Sequence, residues 1–331
     1  MNSLFIAQTP LQLLNCIEAS KKYNEKGVFV LFFDCHENYK RMQDLVSLFE
    51  IKQVYYYSLN ATFRVFFPII LINKFRKLKK EKSFEKVYFG TYASWASFLI
   101  NYLEVFSTVL VDDGSKTIII INSPERMGLD KKKWLKLLQK DYVQKSSLFT
   151  IYFELAKKNR LVCEKNNLEN VISFFNFSGS KDKYSKNPFS YDNKQICIGS
   201  YISNKCDSFD DHIAILANKA RESGKELLYI MHRYDDETKF SQLANIYNFK
   251  CVKFDLPLEL VFSSIWNGTD EVWSQGSTAV DTLQLIYPSL SMRIFQMPLE
   301  TINTEFQREN FLKLYQYYSE KERLTLDKSF M

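Results

Sequence analysis

The chain has 331 residues, 46% hydrophobic and 25% charged, a composition that excludes a disordered or collagen-like chain and a length that suggests two domains. Its net charge of +6 admits an anionic substrate or an anionic membrane surface, but no nucleic-acid-binding signature accompanies it, so no nucleic-acid partner is expected. Six cysteines form no Cys-x-x-Cys pair, and no apolar run reaches the roughly 18 residues of a membrane span, which argues against zinc-ribbon, thioredoxin-type and integral-membrane classes.

In chain order, "SLFIA" is a short apolar strand, followed by Gln8-Thr9-Pro10 and the helical pattern of "TPLQLLNCIEASKKY". Pro10 suits a first helical turn after Thr9. "VFVLFFD" and "ENYKRMQDLVSLF" give the next strand and helix. "QVYYYS" precedes a long helix containing "VFFPIILINKFRKLKK" at 65–80. Its apolar part is too short to span a bilayer, and a basic tail follows. A solvated or core helix is the plain reading, and peripheral contact with anionic lipid is the alternative. "KVYFGT", "ASWASFLINYLEV" and "STVLVDD" complete a series of strands and helices, the pattern of a parallel sheet covered on both faces. Phe (28) and Tyr (20) far outnumber Gly (9). AT-rich codon usage accounts for such a bias, and sugar-lining rings are the second reading.

Residues 122–190 break the rhythm. "PERMGLDKKKWLKLLQKDYVQKSSLF" reads as a basic helix, and "FNFSGSKDKYSKNPFSYDNK" as a linker or surface excursion. The expected divisions are 1–155, 156–190 and 191–331. Alternation then resumes. "QICIGSY", "ELLYIMH", "KCVKFDL", "EVWSQ" and "LSMRIFQ" are strands, and a terminal helix spans "EFQRENFLKLYQYYSEKERL". In open α/β sheets ligands sit beyond the carboxyl ends of strands, so two such domains suggest a cleft lined by strand-end residues. Gln8 and Thr9 are expected on one wall.

Five stretches can carry chemistry. In "QGSTAVDTL", a strand runs through Gln275 and Gly276 into a helix opened by Ser277 and Thr278; free N–H groups and the helix dipole favour an anion there, and an ordinary N-cap is the alternative. "LLYIMHR" puts His232 at a strand end beside Arg233, where an imidazole can protonate a leaving phosphate or simply sit in a turn. "VLVDDGSKT" ends in Asp112, Asp113 and Gly114, which suit metal binding, general-base work or a plain turn; its flanks also look like a hairpin. "NKCDSFDDHI" places Asp207, Asp210 and Asp211 near a helix start, where the dipole favours acids. Glu259 in "FDLPLELV" is a first-turn acid that can grip ribose hydroxyls or serve no ligand at all. No GxGxxG, P-loop or GxSxG motif occurs.

Taken in order, "FIAQTPLQLL", "VDDGS", "IGS", "YIMHR", "LPLE" and "SQGSTAV" resemble a bacterial sialyltransferase of glycosyltransferase family 52. The resemblance implies a GT-B architecture, two doubly wound Rossmann-like domains facing a central cleft. It implies CMP-sialic acid as donor and a galactose-terminated glycan of a surface lipooligosaccharide or capsule as acceptor. Inversion would proceed with no cofactor required and no metal. His232 matches the histidine that protonates the CMP phosphate, Ser277 and Thr278 the phosphate-binding hydroxyls, and Glu259 the acid that holds the ribose. The general base falls on Asp113 or on Asp210. Gly114, Gly199, Ser200, Arg233, Gln275 and Gly276, with Gln8 and Thr9, are the further substrate-binding candidates. The chain departs at His232-Arg233, where the family has His-Pro. The absence of a signal peptide points to a cytoplasmic protein, with peripheral contact at the inner face of the membrane as a variant of that reading. The aromatic, basic carboxyl-terminal stretch could equally serve a homodimer. The rival functions are a GT-B transferase with another nucleotide-sugar donor and a non-catalytic glycan-assembly subunit.

Overall fold

A computed structural model of the chain describes residues 2–91, 93–122, 146–165, 168–173, 177, 193–203, 205–266, 268 and 270–330. These fall into two compact units, Met1–Lys183 and Tyr184–Met331.

The first unit is built on β1 (Asn2–Ala7), β2 (Lys26–Phe33), β3 (Val54–Ser58), β4 (Lys86–Phe89), β5 (Ser107–Val111), β6 (Ser146–Phe149) and β7 (Leu168–Ser173). All pair in parallel, in the order β3-β2-β1-β4-β5-β6-β7. The crossovers carry α1 (Pro10–Lys22), α2 (His36–Leu48), α3 (Ala61–Glu81), α4 (Ser94–Tyr102), α5 (Ser115–Asn122), α6 (Phe153–Lys158) and α7 (Arg160–Lys165). Strands buried on both faces need continuous apolar runs rather than alternation. Leu4, Phe5 and Ile6 of β1 are accordingly all fully buried. Phe5 stacks on Phe29 of β2 and Tyr88 of β4, with ring centroids 4.5 and 5.1 Å apart.

The second unit contains β8 (Lys194–Ile198), α8 (Phe209–Glu222), β9 (Glu226–Ile230), α9 (Glu237–Tyr247), β10 (Lys250–Val252), α10 (Leu258–Val261), β11 (Val272–Ser274), α11 (Ala279–Ile286), β12 (Met292–Phe295), α12 (Glu305–Ser319) and β13 (Leu324–Asp327). Its strands are also parallel, in the order β10-β9-β8-β11-β12-β13. Many of the aromatic side chains lie in the cores. Among the described residues, the largest fully buried side chains are all Phe or Tyr, with Tyr229, Phe209 and Phe240 packed together in this unit.

Several local expectations change. "SSLF" at 146–149 is not the end of a basic helix but β6, inserted beside β5. The segment 156–190, expected as a linker, contributes α7 and β7 to the first unit. The stretch after Val111 is no hairpin: Gly114, at φ 64°, turns the chain straight into α5, as a parallel neighbour requires a crossover. The terminal helix ends at Ser319, short of the expected Leu324, and β13 follows where no strand was expected, while "PLELVFSSIW" forms only the four-residue α10 followed by a single tight turn. The basic segment 123–145 lies outside the described residues.

Candidate functional site

In each sheet the winding direction reverses beside the strand that starts the unit. In the first, β1 lies between β2 and β4; in the second, β8 lies between β9 and β11. The carboxyl ends of such reversal points form crevices where α/β folds bind ligands. The sequence candidates divide between these two edges.

At the first edge, Thr9 is the N-cap of α1 and accepts from the Gln12 N–H at 3.3 Å. Three residues on, the fully buried Gln12 accepts the Gln8 N–H through Oε1 at 2.8 Å. Thr9 and Gln12 thus form a variant of the capping box, with the reciprocal bond going one residue further back. The other end of the same amide donates from Nε2 to Asp113 Oδ1 at 2.7 Å, across 101 residues of sequence. Gly90, just past β4, leaves room for this: a Cβ there would lie 2.4 Å from the Gln12 side chain. Asp113 Oδ2 pairs with the exposed Lys116 at 3.2 Å, and the Asp113 N–H donates to Thr117 Oγ1 at 2.9 Å. The neighbouring Asp112 is turned into the fold, where its Oδ2 accepts the Ile151 N–H at 2.7 Å. The doublet is therefore divided between a structural acid, Asp112, and an edge acid, Asp113. Gln8, Thr9, Asp113 and Gly114 are brought together, and Gln12, absent from the sequence candidates, links them.

At the second edge, Ser274 ends β11 fully buried. Its Oγ donates to the Ile198 carbonyl of β8 at 3.1 Å and accepts from the N–H groups of Gly276 and Ser277 at 3.3 and 3.2 Å. Gly276, at φ 98°, makes the turn that aims Ser277 and Thr278 at the start of α11. Ser277 Oγ accepts from the Ala279 N–H at 3.4 Å, a long bond that leaves the hydroxyl available to a stronger acceptor. Gln275 faces inward: it accepts from Tyr229 Oη at 3.3 Å, and it is fully buried rather than open to a ligand. Gly199 packs against the same tyrosine, since a Cβ would lie 2.6 Å from Tyr229 Oη. Beside it Ser200 is buried, and its Oγ has no hydrogen-bond partner among the described residues. A buried hydroxyl without a partner carries a desolvation cost that a ligand would relieve.

His232 follows β9 on the other side of β8. Strands are spaced by roughly 4.8 Å, so the ends of β9 and β11 lie about 10 Å apart. The loop is held by Asp235, whose Oδ2 accepts the His232 N–H at 2.7 Å and whose Oδ1 accepts from Ser203 Oγ. Burial pushes Asp235 up to about 6; the Ser203 and His232 hydrogen bonds and the charges of Lys253 and Lys239 pull the other way. Tyr201 and Tyr234 flank the imidazole, with centroids 5.8 and 5.5 Å from it, and Arg233 lies over the Tyr234 ring at 4.7 Å. Asp235 was also missed from sequence; an Asp three residues after His232 is the signal of a closed turn.

Glu259 in α10 is buried and accepts from Thr282 Oγ1 of α11 at 2.7 Å. Burial raises its pKa, and the Thr282 bond opposes that. Asp210 opens α8 and pairs with Lys239 of α9 at 2.7 Å, while His212 of the same helix stacks on Phe330 at 4.6 Å. His232, Ser200, Gly276, Ser277 and Thr278 thus share the edge around β8, whereas Gln275 and Gly199 serve packing.

No protein-family profile matches the sequence, and no curated protein does. Solved structures match over nearly the whole chain. The UDP-GlcNAc 2-epimerase of Methanocaldococcus jannaschii is similar at 11% identity and a TM-score of 0.58, covering 98% of this chain and 94% of that one. The E. coli heptosyltransferase WaaC with ADP-2-deoxy-2-fluoro heptose is similar at 12% identity and a TM-score of 0.52, covering 99% and 93%. Arabidopsis thaliana UGT89C1 complexed with UDP-L-rhamnose is similar at 7% identity and a TM-score of 0.57, covering 98% and 84%. At such identities the likeness is one of fold, and with two parallel doubly wound sheets on the page, the fold is GT-B.

Proposed function

We propose that the chain is an inverting sialyltransferase that moves sialic acid from CMP-sialic acid to a galactose-terminated glycan. The observation that carries the reading is a histidine and a helix start, opened by two hydroxyls, on either side of one reversal-point strand, β8. A nucleoside monophosphate needs little more. Sialic acid has a tertiary anomeric carbon bearing a carboxylate, so its transfer runs through a strongly oxocarbenium-like state. The departing phosphate then gathers charge that the α11 start, two hydroxyls and one imidazolium can meet. In this reading Ser277 and Thr278 hold the phosphate, Ser200 adds a third hydroxyl, His232 donates a proton to the leaving group, and Glu259 holds the ribose. Asp113 takes the acceptor proton. It is chosen over Asp210 because Gln12 fixes one of its oxygens at the strand-end edge, whereas Asp210 is a half-buried first-turn acid of α8 whose place the helix dipole alone explains.

A second reading, transfer or rearrangement of a nucleoside-diphosphate sugar, is favoured by the ligands of similar proteins, which include UDP-L-rhamnose and an ADP-heptose analogue. Incubation with CMP-sialic acid and a galactoside panel tests the first reading. Transfer of sialic acid supports it; turnover of UDP- or ADP-sugars alone moves the protein to the second.

A further inference from the structure

Helix α3 has two faces of different use. Phe63, Phe67, Leu71, Phe75 and Leu78 are buried in the first unit. The helix kinks at Phe66, whose φ of −110° and ψ of 16° are not helical; beyond it, at about 100° per residue, Phe67, Leu71, Phe75 and Leu78 fill one arc of roughly 80°. The facing arc is exposed and begins with apolar side chains: Phe66 is 52% exposed, Ile69 60% and Ile72 37%. The same arc continues into Arg76, Lys77 and Lys80, all exposed. Residues 74–82 hold six cations, Lys74, Arg76, Lys77, Lys79, Lys80 and Lys82, against one carboxylate, Glu81. That carboxylate lies 3.7 Å from Lys77 on an exposed surface, where a pair contributes little.

Single exposed apolar side chains are ordinary. Phe66 at the kink with Ile69 and Ile72 on the helix beyond it, running into a basic half, are the layout of a segment that lies in a membrane interface. No helix among the described residues is long and apolar enough to cross a bilayer. We propose that this face of α3 seats the protein on an anionic lipid bilayer, with Phe66, Ile69 and Ile72 entering the headgroup boundary and Arg76, Lys77 and Lys80 meeting lipid phosphates. Charge selects lipid over a second copy of the chain as the occupant. A second copy presents the same positive run, offset by Glu81 and by Glu104 against Lys79, whereas anionic headgroups neutralise the cations that remain. Position adds a use for the contact. Helix α3 leaves the carboxyl end of β3, so its apolar half lies toward the edge that carries Gln8 and Asp113. A lipid-anchored glycan would present its sugar to that edge. The surface does not depend on which donor the protein takes.

Co-sedimentation of the full chain with vesicles tests this. Vesicles of phosphatidylcholine with roughly a third phosphatidylglycerol should bind the protein, pure phosphatidylcholine should not, and about 0.5 M salt should release it, since the Debye length is then only a few ångströms. Arg76→Gln, Lys77→Gln and Lys80→Gln together should weaken partitioning on the order of 100-fold. Phe66→Ser, Ile69→Ser and Ile72→Ser together should abolish it, with unchanged circular dichroism. Equal binding to both vesicle types, undiminished binding by either variant, or no vesicle binding at all would overturn the proposal. So would a dimer on gel filtration that the serine variant dissolves, because the face would then belong to a second copy.

Discussion

Gln12 is the residue through which the first edge is assembled. Its amide spends one end on the Gln8 N–H and the other on Asp113, so the acid and the turn after β1 move as one piece. Gln12→Ala should lower the turnover number for sialyl transfer by about 10- to 100-fold, with a smaller change in KM, because a hydrogen bond to a charged group contributes roughly 1.5–3 kcal/mol. Gly90→Ala offers an independent check: its methyl group would displace the Gln12 side chain without touching Asp113, so steady-state kinetics should show the same pattern. An unchanged turnover number in both variants removes Asp113 from the reaction. His232→Ala should reduce transfer by about 100-fold or more, the scale of general acid catalysis.

Asp235 gives a pH signature of the His232 loop. Its folded pKa of about 6 lies above its ordinary value of 3.8, so its carboxyl contributes stability below about pH 4, and that contribution is lost as pH rises through about 6. Relative to Asp235→Asn, the unmodified protein should lose about 2 kcal/mol of unfolding free energy between about pH 4.5 and 7.5. Urea unfolding at the two pH values reads this. Equal slopes would mean the side chain is better hydrated than its buried position implies.

At the scale of elements, the start of α11 is shaped by Ser274 as much as by Ser277. Ser274 ties β11 to β8 and accepts the two N–H groups that follow it. Replacing it with Ala leaves buried backbone groups unpaired and should cost about 1–3 kcal/mol in chemical denaturation. Most elements were legible because parallel strands in a two-sided sheet are short apolar runs: "VFVLFF" and "ELLYI" need no tertiary information to be read. "SSLF" was not legible, because a four-residue strand beginning with two serines has no period long enough to set it apart from a basic helix. The hairpin expectation after Val111 failed for a related reason. Asp-Gly marks a turn but not its direction, and only the parallel neighbours β4 and β6 demand a crossover. Asp112 and Asp113 were adjacent and indistinguishable in sequence; burial against Ile151 separates them. Gln12 was readable in principle from the Thr-x-x-Gln spacing, but its bond to Asp113 is a tertiary fact.

For the whole molecule, two parallel sheets each reverse direction beside their first strand, and each reversal gathers a different chemistry. The first gathers a held carboxylate and the second hydroxyls, a helix start and a histidine. The central claim is that the edge around β8 seats a nucleoside monophosphate, and thermal unfolding with CMP or UDP tests it most directly. CMP at about 100 times its dissociation constant should raise the melting temperature of the unmodified protein by roughly 3–6 °C, and should raise it little after Ser277→Ala with Thr278→Ala. Stabilisation by UDP but not CMP, or an undiminished CMP effect in that double variant, would contradict the account.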